Sequence, residues 1–349
     1  MNFLDSKEIL TILSVDPTDG DELIEIGIRK NLNENLLLIV PLIPEGYKNY
    51  YDFCDINNYD ETKSYNNAFK MAYWLAKCFP DTVVYVERNI VDVRNPVSQK
   101  IYKHLSEDLP DIEGHSYLHY PPNLCLCYNE LRMIINTSKY IKTNVGRPCT
   151  GFMFLRNIFK FDHKITTDLF IQGGSVYGEN SKTTNIEGLF KRSPRESMNL
   201  ARNPNAFIEL MKIVSKDRVV VVPTSYSKVR QVEEINHLID ITYPINIHNL
   251  KDNEIVAKNI VNNCLKTYYN QDRFKDGAKL FDVDLIEIEH RVEDKEISVK
   301  MKCSIKKNLG EMELHNGDLD DNDEYEHFGM VNVVRKNDFD FNNILKIIT

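Results

Sequence analysis

Three aspartates, Asp16, Asp19 and Asp21, fall within the short stretch DPTDGD that follows an apolar run. Carboxylates this close repel one another unless solvent or a cation relieves them, and a hard cation such as Ca²⁺ takes carboxylate and carbonyl oxygens. The stretch lacks the alternate-residue ligand spacing and distal glutamate of an EF-hand loop. Read without a ligand, it is equally a solvated turn leading into a helix whose first turn favours acids. Other polar residues also follow apolar runs. Tyr128, Asn129 and Glu130 close one such run, and Gln172, Gly173 and Gly174 close another, where paired glycines let a backbone come close to a ligand or simply turn. Asn199 and Asn203 precede a helix expected to start at Pro204, and Asn203 suits its N-cap.

The elements that must position these residues alternate between strand and helix. Apolar runs at residues 8–16 (EILTILSVD), 36–43 (LLLIVPLI), 82–88 (TVVYVER), 123–129 (NLCLCYN), 169–174 (LFIQGG) and 218–225 (RVVVVPTS) read as strands. Helical spacing is carried by Leu23, Ile24, Ile26 and Ile28, by Ala68, Met71, Ala72, Leu75 and Ala76, and by Leu131, Ile134 and Ile135. This alternation predicts an α/β fold with a mostly parallel, Rossmann-like central sheet flanked by helices. Toward the C-terminus DLIEIEHRV, EISVKMKCSI and GMVNVV predict a small antiparallel element, with the acidic residues 317–327 as a loop and a last helix at DFNNILKII. No repeat or linker divides residues 1–349, which read as a single domain. In open parallel sheets ligands bind beyond the carboxyl ends of the strands, where the polar residues above would gather.

Composition limits the classes of function. A net charge of -9 with scattered basic residues gives no reason to expect nucleic acid or a membrane surface as partner. No apolar run is long enough to span a bilayer, and the N-terminal residues lack the basic and apolar regions of a signal peptide. The seven cysteines are odd in number, and Cys125 and Cys127, on one strand face, have no second pair with zinc spacing. Reduced thiols in a cytoplasmic protein are the expected reading.

Taken in order, these pieces resemble the nucleoside hydrolases, the inosine–uridine-preferring N-ribohydrolase family. That family's Asp-x-Asp-Pro-Gly-x-Asp-Asp turn resembles residues 14–21 (SVDPTDGD), and its strand ending in Met-Gly-Gly resembles Ile171-Gln172-Gly173-Gly174. Its Glu-Phe-Asn-x-x-x-Asp-Pro-Glu-Ala-Ala resembles residues 197–207 (SMNLARNPNAF), and a later apolar strand ending at Val-Pro-Leu-Asp resembles residues 221–224 (VVPT). The resemblance implies a Ca²⁺-assisted hydrolysis of the N-glycosidic bond of ribonucleosides. It assigns Asp16 as the aspartate that binds the metal and activates water, and Asp21, Asn129 and Asp276 as further metal ligands. Asn199 would hold the sugar, with Asp19 and Glu196 as the nearest replacements for sugar-binding acids. It also implies a homo-oligomer or a component of a larger assembly.

Several family positions have changed. Ser14 stands for the first aspartate of the turn, Gly20 for the aspartate that grips the ribose, Ser197 for a glutamate and Lys275 for the histidine before the last aspartate. Losing several positioned charges can remove useful catalysis, so a pseudoenzyme that keeps the fold for binding or assembly is the competing expectation. An unrelated glycosyltransferase would need a second acidic metal motif at a strand end, and the sequence offers none.

Overall fold

A computed structural model of the chain describes residues 9–15, 20–41, 61–87, 105, 108–112, 120–125, 128–138, 140–145, 166–176, 204–223, 228–243, 252–280, 298–306, 312–316, 323–334 and 346. The expected strand DLIEIEHRV and most of the expected last helix lie outside these residues.

The first half repeats strand and helix: β1 (Ile9–Ser14), α1 (Asp21–Asn31), β2 (Leu36–Pro41), α2 (Glu61–Cys78), β3 (Val83–Glu87), β4 (Leu124–Cys125), α3 (Tyr128–Thr137) and β5 (Tyr140–Val145). Then follow β6 (Thr166–Gln172), β7 (Ser175–Val176), α4 (Pro204–Ile213), β8 (Val219–Val222), β9 (Lys228–Arg230), α5 (Val232–Thr242) and α6 (Asp252–Tyr269). The chain continues through β10 (Ala278–Leu280), β11 (Ser298–Lys306), β12 (Met312–His315) and β13 (Tyr325–Val334).

Among the described residues, eleven strands form one sheet in the order β4-β3-β2-β1-β5-β6-β8-β13-β11-β12-β7, and β9 and β10 make a separate antiparallel pair. Strands β4 through β13 in that order are all parallel neighbours. β11 runs antiparallel to β13 and β12, which is the expected C-terminal element. The fold is therefore α/β and mostly parallel, as its alternating pattern predicts.

Unbroken apolar runs belong in this sheet because its strands are buried on both faces. In β1, Leu13 joins a core with α1, α2, α5 and α6, while Leu10 and Ile12 join a second core with α3 and α4 on the other face. Gly27 lets α1 and α5 touch, since a Cβ there would stand 2.7 Å from Thr242 Cβ. Next to it the Tyr243 hydroxyl donates to the Leu23 carbonyl at 2.6 Å.

Two differences from the sequence reading bear on the site. The stretch 123–129 is strand only at Leu124–Cys125, and helix α3 already begins at Tyr128. β13 begins at Tyr325, inside the stretch expected to be an acidic loop.

The sheet also curls. Only Gly173 and Gly174 separate β6 from β7, yet β7 pairs with β12 at the far edge. On a flat sheet these places would be about 24 Å apart at the usual strand spacing, far beyond what two residues span. The far strands must therefore bend back until β12 meets the continuation of β6. Gly174 makes this join at φ 78, a left-handed conformation, with its Cα against Met312, whose Sδ would be 2.9 Å from an added Cβ. A β-bulge between Cys303 and Ser304 adds to the bend.

Four cysteines, Cys78, Cys125, Cys264 and Cys303, are free and buried. Burial pushes the Cys303 thiol up to about 12, and it raises Cys78 further. A thiolate is the reacting form, so at pH 7–8 these four are expected to resist a thiol reagent until the chain unfolds. Peptide mapping of the labelled native protein checks this, and rapid labelling of Cys303 would contradict its burial.

Candidate binding edge at the carboxyl ends of the strands

Strand order reverses between β1 and β5: from β1 the sheet runs one way through β2, β3 and β4, and the other way through β5, β6 and β8. Crevices form beyond the carboxyl ends of strands at such a switch point, because the connections on its two sides leave in opposite directions. β1, β4, β6 and β8 are parallel members of the sheet, so the strands leading to Asp16, Asn129, Gly173 and Thr224 all end on one edge.

At this edge the described residues are polar and enclosed. Ser14 and Gln172 are buried, and among the described residues neither Ser14 Oγ nor Gln172 Oε1 has a hydrogen-bond partner. Gly173 donates its N–H to the Val222 carbonyl at 3.0 Å, which fixes the start of the glycine turn to β8. Helix α1 points its N-terminus toward the same edge, with Gly20 as N-cap and Asp21 and Glu22 in the first turn. Acids suit this end because the first N–H groups of a helix carry partial positive charge. Asp21 is 7% exposed, and its Oδ1 accepts the Glu22 N–H at 3.1 Å.

Gly20 is where the arrangement departs most from the expected chemistry. A Cβ there would lie 2.9 Å from Tyr269 Cε2, 3.0 Å from the Tyr269 hydroxyl and 3.1 Å from Leu265 Cδ2. The end of α6 thus fills the space beside the α1 N-terminus. Tyr269 is held there by an aromatic group: Tyr268 stands edge-on at 5.1 Å and Phe274 tilts against it at 5.4 Å. The Arg273 guanidinium lies over Tyr268 and Phe274 at 4.6 and 4.5 Å, a cation–π arrangement that stiffens the turn after α6.

Of the residues the sequence points to, Asp16, Asp19, Glu196 and Asn199 lie outside the described residues. Asp21 is at the edge. Asp276 is exposed, in the turn between Phe274 and β10. Asn129 is exposed in the first turn of α3, where a helical carbonyl is directed along the helix axis. Calcium takes six to eight oxygens, and among the described residues no three His, Cys, Asp or Glu side chains are grouped to hold a metal ion. The described residues alone do not make up a calcium site.

Sequence reasoning names Ser14 and Gln172 but does not single out Tyr269. The tyrosine's role depends on the end of α6 reaching the N-cap of α1, a contact between distant segments that no local pattern announces. Comparison with known protein families and with curated proteins finds no match. Among the described residues no helix is long and apolar enough to cross a membrane.

Proposed function

We propose that the chain is a nucleoside-hydrolase-like protein that binds a nucleoside or related glycoside at the carboxyl edge between β1 and β5 and hydrolyses it slowly or not at all. The observation that carries this reading is the packing of Tyr269 against Gly20. At the matching position the family has a carboxylate that grips the ribose hydroxyls. Here that volume is taken by a neutral phenol, which can exchange hydrogen bonds but offers no negative charge to a sugar turning cationic. Losing one such electrostatic group costs about 10²–10³ in rate, and Ser197 in place of a glutamate adds a further loss. The edge still keeps the features of a ligand site: buried polar atoms on Ser14 and Gln172, a helix N-terminus and a glycine turn. The free thiols support a reducing, cytoplasmic setting.

The test is calorimetric binding and turnover of inosine, uridine and a nitrophenyl riboside, with and without Ca²⁺. Binding is expected, with turnover far below the ~10 s⁻¹ typical of enzymes. Turnover within about tenfold of that figure would overturn the reading in favour of a working hydrolase. In that case Asp19 and Glu196 would be the replacement acids, and Asp19→Ala should abolish the rate. No binding at millimolar concentration would remove the ligand as well and leave assembly with a protein as the task.

A further inference from the structure

Away from this edge, where the sheet curls, three polar side chains from three adjacent strands converge. Ser304 of β11 is fully buried, and its Oγ lies 3.0 Å from Nδ1 of His327 on β13 and 3.3 Å from Nε2 of His315 on β12. Met301, Cys303 and Ile305 of β11 face the second core, so Ser304 points the other way. Glu313 is the register partner of Ser304, and His315 follows it by two residues, so all three occupy the same face. The bulge between Cys303 and Ser304 falls at this point, with Gly329 at φ 77 in the facing strand. A bulge re-aims side chains and recurs beside functional sites. Among the described residues nothing lies within 4 Å of a Cβ built on Gly329, and the positive φ of its backbone is what calls for glycine there.

We propose that His315 and His327 form a two-imidazole site for a d-block divalent cation such as Zn²⁺ or Ni²⁺, with water and the Ser304 hydroxyl available for its remaining positions. The two ring nitrogens stand 3.0 and 3.3 Å from the Ser304 hydroxyl, about the separation that two ligands of a tetrahedral ion keep when each bond is ~2 Å. Imidazole ligands select Zn²⁺, Cu²⁺ and Ni²⁺ over Ca²⁺ and Mg²⁺. The Glu313 carboxylate on the same face favours positive charge electrostatically. It is not counted as a ligand, since no three such side chains among the described residues are placed together to hold an ion. His327 is exposed and gives the ion a way in, while buried His315 fixes the inner side. The ladder of β11 with β12 and β13 keeps the two rings apart by a set amount, so little ordering is needed on binding.

Titration of the full chain with Zn²⁺, followed by NMR of the histidine ring protons and by calorimetry, tests this. One ion per chain should shift the His315 and His327 signals and leave the other histidines unmoved. His327→Ala, at an exposed position that should not disturb folding, is expected to weaken binding at least tenfold, as loss of even an outer partner of a metal costs 10–100-fold. Glu313→Gln should weaken it less, and the fold of each variant is checked by its NMR spectrum. Unmoved His315 and His327 signals at about 0.1 mM Zn²⁺, well above a micromolar affinity, would overturn the proposal and leave the cluster a hydrogen-bond network. Undiminished binding in His327→Ala would do the same by placing the ion elsewhere.

Discussion

Arg29→Ala is expected to cost the fold about 3–5 kcal/mol, the usual result of removing one partner from a buried ion pair. Arg29 has no exposed side-chain surface, and its Nε donates to Glu25 Oε1 at 2.7 Å. Its Nη1 also reaches Glu34 Oε2 at 3.1 Å, tying the last turn of α1 to the turn before β2. Without the guanidinium, the buried Glu25 carboxylate loses a charge partner in a place where water cannot replace it. Urea unfolding of the variant should give a lower midpoint with little change in slope. Glu25→Gln combined with Arg29→Met should recover part of the loss, because it removes both charges and keeps the volume. A loss below about 1 kcal/mol for Arg29→Ala would show that the pair is solvated, as exposed pairs are.

Gly20→Asp alone is expected to destabilise by about 1–3 kcal/mol, as overpacking does, and to create no glycosidase. Its Cβ would meet Tyr269 at 2.9 Å, a distance that real Cβ contacts do not show. The aromatic group behind Tyr269 leaves its ring little room to withdraw. With Tyr269→Ala the space opens. Adding Ser197→Glu then puts acids at two positions where nucleoside hydrolases carry them, and on the function proposed above turnover of a nitrophenyl riboside should rise by at least about 10²-fold over the parent, the scale of one positioned electrostatic group. A comparable rise from Gly20→Asp by itself would mean that Tyr269 is not what fills the site.

Much of the sheet is legible in the sequence because parallel strands buried on both faces must be apolar throughout. The runs at LLLIVP and VVVV leave no other reading, and they become β2 and β8. β5 is the instructive miss. It lies between β1 and β6 and forms one side of the switch point, yet its sequence YIKTNV carries three polar residues in a row, Lys142, Thr143 and Asn144, and resembles a surface segment. NLCLCYN misleads in the other direction. Its apolar stretch continues through Tyr128, but the backbone has already turned into α3. At the site, Asp21 and the glycine turn are visible as local patterns. Tyr269 is not, since α6 is rich in Asn and Lys and its contact with Gly20 exists only in three dimensions.

The join of β6 to β12 through Gly173 and Gly174 also sets an order of events during synthesis. Strands β1 to β6 can begin pairing as the chain emerges, since each parallel neighbour is supplied early. β7 cannot be completed then, because Glu313 and Leu314, its register partners, are made long after β7 itself. Until they arrive, β8 also lacks its neighbour β13 and presents an open edge, the kind of surface that other chains can pair with. A chain stopped before Met312 would keep that edge permanently, so the C-terminal strands act as the stopper that makes the newly made protein safe from its own copies.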